Sequence, residues 1–140
     1  MLFRSRADFT PTLWQEPADN VTQVWFAGAH ADVGGGYEQA GLSDIALEWM
    51  AGKLADAQLL FSDPRPYTPK CDAALACHEP WSEAPWDALL KAGRSVPKGA
   101  CVHGSLLKRG KLNAAALASV MSNGALDPAL CTIVQWSETA

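Results

Sequence analysis

Residues 21 to 27, Val-Thr-Gln-Val-Trp-Phe-Ala, concentrate β-branched and aromatic side chains. Such a run predicts a strand, and its near-continuous apolar end predicts burial on both faces, as in a parallel sheet. Residues 28 to 41 read as a loop. A helix follows. Ser43 suits its N-cap, and Asp44 puts negative charge in the first turn, where the helix dipole favours it. Ile45, Trp49 and Met50 recur on one face at helical spacing, and the end is expected near Ala57.

The pattern outside this unit is weaker. Residues 1 to 20 are irregular, interrupted by Pro11 and Pro17, with Phe9, Leu13 and Trp14 expected to anchor them by burial. Pro64, Pro66, Pro69, Pro80 and Pro85 forbid long regular elements between residues 61 and 87. Short helices are expected around residues 73 to 77 and 85 to 92, the second with Trp86, Leu89 and Leu90 on one side. Residues 101 to 107 predict a short strand or extended segment, residues 113 to 121 an Ala-rich helix, and residues 131 to 136 a last strand. The class is α/β. Residues 1 to 60 hold the strand–loop–helix unit, and residues 61 to 140 are expected to be an irregular, Pro-rich extension of the same domain.

Composition narrows the picture. One domain is the natural expectation for 140 residues, and 49% apolar with 19% charged residues is a globular balance. A net charge of −4, with Lys108-Arg109-Gly110-Lys111 as the single basic cluster, argues against a nucleic-acid partner. No apolar run approaches the roughly 20 residues of a transmembrane helix. The start, Met1-Leu2-Phe3-Arg4-Ser5-Arg6, has no apolar stretch behind it, so a cytoplasmic product is expected, with any export independent of a signal peptide. Cys71, Cys77, Cys101 and Cys131 lack paired spacing and read as reduced thiols.

The chemistry gathers just past the first strand. In open α/β sheets, ligands and catalytic groups collect beyond the carboxyl ends of strands, and His30 falls there. An imidazole can take a proton from a nucleophile near neutral pH. Asp32 can orient it or hold the loop by local hydrogen bonds, and Gly34, Gly35 and Gly36 permit a sharp turn into the helix. The same residues also suit a plain tight turn. A phosphate loop is excluded on detail: there is no G-x-x-x-x-G-K-[ST], and the three glycines lack the G-x-G-x-x-G register.

The strings "FTPTLW", "QVWFAGAHADVGGGY" and "LSDIALEWM" resemble the α/β-hydrolase domain of type VI secretion phospholipase effectors, and "VHGSLLKR" resembles a downstream segment of that family. The resemblance is dense from Arg6 to about Leu60 and is similar to the C-terminal part of the family's catalytic domain. It implies serine-hydrolase chemistry on ester bonds of phospholipids, with His30 as the catalytic His and Asp32 supporting it. In α/β-hydrolases the nucleophile sits on a G-x-S-x-G elbow ahead of the His. None of the nine serines is framed that way, and Ser105 follows His30 in the chain. The expectation is therefore a His-bearing piece, inactive alone, whose nucleophile comes from a missing N-terminal half or a partner chain. No cofactor is implied.

Two rivals stand beside this reading. One is a non-catalytic remnant or binding module of the same fold. The other is a small metal-binding protein using Cys71, Cys77 and His78 with His103 or Cys101, although C-x5-C-H is not a common zinc spacing. Lys108, Arg109 and Lys111 read as a solvated face. Trp25 and Trp49 are expected in the core between strand and helix, while Trp14, Trp81, Trp86 and Trp136 suit either core or a cover over apolar surface.

Overall fold

A computed structural model describes residues 4–6, 12–14, 19–62, 66–88, 91–109 and 114–135. The centre is a three-stranded parallel sheet built from β2 (Val24–Trp25), β4 (Cys101–His103) and β7 (Thr132–Val134), in the order β2-β4-β7. Val24 pairs with Cys101 and Trp25 with Val102 on one side of β4, while Cys101, Val102 and His103 meet Thr132, Ile133 and Val134 on the other. Parallel strands are buried on both faces, and the middle one shows it: Val102 is fully buried and His103 is 1% exposed. The three strands come from residues far apart in the chain, so the C-terminal half supplies two thirds of the sheet that carries the first strand.

Two small antiparallel pairs flank it. β1 (Arg4–Arg6) pairs with β3 (Lys91–Gly93), and β5 (Met121–Ser122) pairs with β6 (Ala125–Leu126) around Asn123 and Gly124. Both turn residues have positive φ, as a two-residue hairpin requires. The short helix α3 (Ala114–Leu117) precedes that hairpin. Its Leu117 joins Val96, Val102, Leu106, Val120, Leu126 and Cys131 in the main core. A smaller cluster, Leu42, Ile45 and Ala73, fixes the first long helix.

That helix, α2 (Gly41–Asp56), begins two residues before the expected cap and ends at Asp56, with Ala57 as its C-cap, close to the expected end. Ser43 lies inside it and donates to the Ala40 carbonyl at 2.9 Å. Asp44, in its first turn, accepts the Tyr67 hydroxyl at 2.9 Å and the Lys70 N–H at 2.6 Å, which ties residues 67–70 to the helix start. Only the N-terminal turns pack fully: Ile45 is 2% exposed, but Met50 is 49% exposed, so the predicted apolar face does not stay in the core. Trp49 is half-buried and meets Phe26 edge to face at 5.6 Å.

Several expectations shift. The predicted strand at residues 21 to 27 makes ladder bonds only at Val24 and Trp25, and the loop after it contains a one-turn helix, α1 (His30–Gly34). Residues 73 to 75 form a turn rather than a helix. The helix expected at 85 to 92 is a 3₁₀ turn at Trp86–Ala88 followed by β3. The segment 101 to 107 is half strand and half 3₁₀ helix, Gly104–Lys108. Leu13 and Trp14 are exposed, so they do not anchor the N-terminal segment by burial. Pro11, Pro17, Phe9, Pro64, Leu89, Leu90, Lys111 and Trp136 lie outside the described residues. Among the described residues, no helix is long and apolar enough to cross a membrane.

Candidate functional site

The chain leaves β2 through Phe26 and Ala27 and turns at Gly28, whose φ is +120°. A Cβ at Gly28 would lie 2.2 Å from the Asp32 Cβ, so glycine is required by both backbone angle and space. Ala29 then caps α1 with extended backbone angles. An alanine has no side-chain acceptor for the free N–H groups of a helix start. Asp32, three residues on, reaches back instead and accepts the Ala29 N–H at 2.7 Å, half of a capping box. Gly34 closes the turn within helical angles. Gly35 and Gly36, at φ +87° and +124°, redirect the chain towards α2.

His30 is the first residue of α1 and is exposed. It lines a cleft of about 300 Å³ together with Trp25, Gly28, Ala29, Gly34 and Arg94. Arg94, just past β3, brings a positive charge to the wall that holds His30. Nothing in the sequence linked these two residues, which stand 64 positions apart (94 − 30).

Asp32 is 2% exposed and its carboxylate is fully engaged. Besides Ala29 it accepts the His78 backbone N–H at 3.0 Å, and its other oxygen meets His78 Nδ1 at 2.6 Å. The His78 ring lies face to face with Tyr37, with centroids 3.6 Å apart and 15° between planes. Burial, and then the negative charges of Asp32 and Glu83, push the Tyr37 phenol above its ordinary value. Among the described residues no hydrogen bond joins Asp32 to His30. The imidazole that Asp32 orients is His78, a partner 46 residues away that sequence spacing had associated only with metal.

The residues considered for metal do not converge. Cys71 faces Glu48 Oε2 at 3.3 Å, Cys77 accepts from Arg109, and His103 is in the sheet. Among the described residues no group of three or more His, Cys, Asp or Glu side chains is placed to hold a metal ion, and the four cysteines are not joined in disulfides. Arg109 is likewise not part of a solvated face. Its guanidinium donates to the carbonyls of Ala73 at 2.6 Å and Leu75 at 2.8 Å and to Cys77 Sγ at 3.3 Å, stapling the segment that carries His78. Lys108 is exposed, as expected.

His103 and Ser105 form a His–hydroxyl pair. The Ser105 hydroxyl lies 3.0 Å from His103 Nδ1, and the Ser105 N–H donates to the same nitrogen at 3.3 Å. Two donors on Nδ1 make it the unprotonated nitrogen of a neutral ring. Burial lowers the His103 pKa to about 4. Ser105 is 3% exposed and closed in by its own 3₁₀ turn, and the ring stacks on Phe26 at 4.7 Å. The pair caps a helix; it does not present a nucleophile.

The fold is thus an α/β sheet with a His-bearing turn at the carboxyl end of a parallel strand. Residues 2–53 match the family model described as type VI secretion system (T6SS) phospholipase effector Tle1-like, catalytic domain. This stretch, which holds β2, His30, Asp32, the glycine turn and most of α2, is therefore phospholipase-like. No curated protein and no solved structure matches the chain.

Proposed function

We propose that this chain is the His-bearing part of a phospholipase-like serine hydrolase, acting on ester bonds once a second polypeptide segment supplies the nucleophile. The observation that carries the reading is the position of His30. It stands exposed at the start of the turn after a parallel strand, within the stretch that matches the phospholipase family. In this role His30 takes the proton from the incoming serine hydroxyl and returns it to the leaving alcohol. Asp32, committed to Ala29 and His78, shapes the turn rather than orienting His30. Gly34 to Gly36 keep the approach to His30 free of side chains.

None of the nine serines lies in a G-x-S-x-G elbow, and Ser105, which lies beside the His103 imidazole, is enclosed. The chain alone therefore has no group for His30 to activate. The test is a hydrolysis assay on p-nitrophenyl butyrate and on phosphatidylglycerol vesicles. The 140-residue chain is assayed alone and co-expressed with the elbow-bearing half of a family catalytic domain. Turnover only in the combined sample, abolished by His30→Ala, is expected. Turnover by the chain alone, or combined turnover indifferent to His30→Ala, would sink the reading. A folded chain that never gains activity is the remnant of the same fold.

A further inference from the structure

The hairpin of β5 and β6 turns on Asn123 and Gly124, at φ +51° and +81°. A two-residue turn needs positive φ at both positions, which is why asparagine and glycine suit it. The same dipeptide carries latent chemistry. The amide nitrogen of the residue after an asparagine can attack the side-chain carboxamide and close a five-membered imide. What flanks that nitrogen limits the reaction. Asn20 is followed by Val21, whose branched side chain crowds it, and Asn113 by Ala114; only Asn123 is followed by a residue with no side chain.

The fold leaves both reactants open. Asn123 and Gly124 are exposed, and among the described residues no hydrogen bond holds the Asn123 carboxamide or the Gly124 N–H. Nothing stands within 4 Å of where a Gly124 Cβ would be, so no neighbour fences the nitrogen. The hairpin is also short. It is laddered at Met121↔Leu126 and Ser122↔Ala125, and Ser122 and Ala125 are exposed. So small a ladder opens locally at little cost, and that opening lets the Gly124 nitrogen reach Asn123 Cγ.

We propose that Asn123-Gly124 is a site of spontaneous deamidation, and that its isoaspartate product unlatches the β5–β6 hairpin from the main core. The Gly124 nitrogen forms a bond to Asn123 Cγ. The Cγ–Nδ2 bond breaks, and the amide NH₂ leaves as ammonia with the proton from Gly124. Water then opens the imide. Attack at Cγ gives aspartate. Attack at the backbone carbonyl carbon gives isoaspartate, in which the main chain runs through Cβ and Cγ. Nothing is oxidised or reduced. The two products load the turn differently. Aspartate, like asparagine, tolerates the left-handed region, so it keeps the hairpin and adds one negative charge to a net −4. Isoaspartate puts an extra methylene into a loop whose ends are set by the Ser122–Ala125 pair. The residues beyond cannot absorb it freely. Val120 and Leu126 belong to the main core, and the Asp127 N–H donates to the Val120 carbonyl at 2.9 Å. The inference goes beyond the hydrolase reading and does not depend on it.

The test holds the 140-residue chain at mildly alkaline pH and follows it by peptide mass spectrometry. An isoaspartate-specific carboxyl methyltransferase with a labelled methyl donor is the probe for the rearranged product. Expected is conversion at Asn123 while Asn20 and Asn113 stay intact, faster at higher pH because the deprotonated Gly124 nitrogen is the nucleophile. Methyl label should accumulate, and the labelled fraction should unfold at lower urea. Asn123→Asp should keep the urea midpoint of the fresh chain. Asn123→Gly accepts positive φ but has no carboxamide, so it should take no label and hold its midpoint throughout. Conversion at Asn123 no faster than at Asn20 or Asn113 overturns the proposal. So does aspartate as the sole product, or isoaspartate with an unchanged urea midpoint. If Asn123→Gly loses stability as fast as the unaltered chain, the turn is not the cause, and the proposal falls.

Discussion

Asp32 Oδ1 lies 2.6 Å from His78 Nδ1, joining the turn after the first strand to the Pro-rich segment that follows α2. Sequence spacing suggests that Asp32 serves His30, two residues away. The backbone decides otherwise: residues two apart on a helical turn point to different sides, so Asp32 faces inward while His30 faces solvent.

Replacements at these three positions should therefore rank in a fixed order of stability. Asp32→Ala orphans the Ala29 and His78 N–H groups as well as the imidazole and should cost about 3 kcal/mol. His78→Ala removes the ring but leaves both backbone donors on Asp32, and about 1 kcal/mol is expected. His30→Ala, at an exposed site, should stay within about 0.5 kcal/mol. Urea unfolding of the three variants checks the order; a destabilised His30→Ala beside a neutral His78→Ala would contradict it.

Gly28 and Gly34 should respond very differently to alanine. Gly28→Ala meets the Asp32 Cβ at a φ that an L residue rarely adopts, and a loss of about 3 kcal/mol or more is expected. Gly34→Ala meets nothing within 4 Å and keeps a helical φ, so it should be neutral or slightly stabilising. Thermal melts of the pair suffice, and equal effects would count against the turn geometry described.

His103 makes stability depend on pH. Its folded pKa of about 4 lies below the ordinary 6.5, so between those values the unfolded chain binds a proton that the folded chain excludes. Stability must then fall as the pH drops through this window, by about 3 kcal/mol at most. His103→Asn keeps an acceptor for the Ser105 N–H but does not titrate. Urea midpoints from pH 7 to pH 4 should decline less steeply in that variant, and parallel declines would rule His103 out as the source.

Arg109→Lys should be far from conservative. A lysine keeps the charge but cannot span the carbonyls of Ala73 and Leu75 and the Cys77 sulfur with one planar fork. A loss of about 2 kcal/mol is expected. Because the staple holds residues 73 to 77, hydrogen exchange at the Ala74 and His78 amides should quicken first. Exchange unchanged there would mean the staple is dispensable.

The parts legible in the sequence were those written in local pattern. Val24 and Trp25 sit where β-branched and aromatic residues cluster, α2 stops at Asp56 with Ala57 as its C-cap, and Thr132–Val134 forms the last strand. The one-turn helix at His30 was hidden because its cap is Ala29, a residue with no capping side chain; the signal that survives is Asp32 at the third position, reaching back. Met50 fits an apolar helical period yet faces solvent, since periodicity shows which residues align but not whether anything covers them. His78 and Arg94 join the site through contacts far apart in the chain, and neither carries a local mark of that role.

The strand order has a kinetic consequence. β2 cannot find its neighbour until residue 101 has been made, and that neighbour is completed only by residues 132 to 134. Closing such wide loops before any pairing is rewarded slows folding. The His30 turn therefore leaves the ribosome well before the strands that support it, Cys101–His103 and Thr132–Val134, have been made. During that interval its apolar strand stands uncovered, and any polypeptide present can compete for it before the chain's own C-terminal strands arrive.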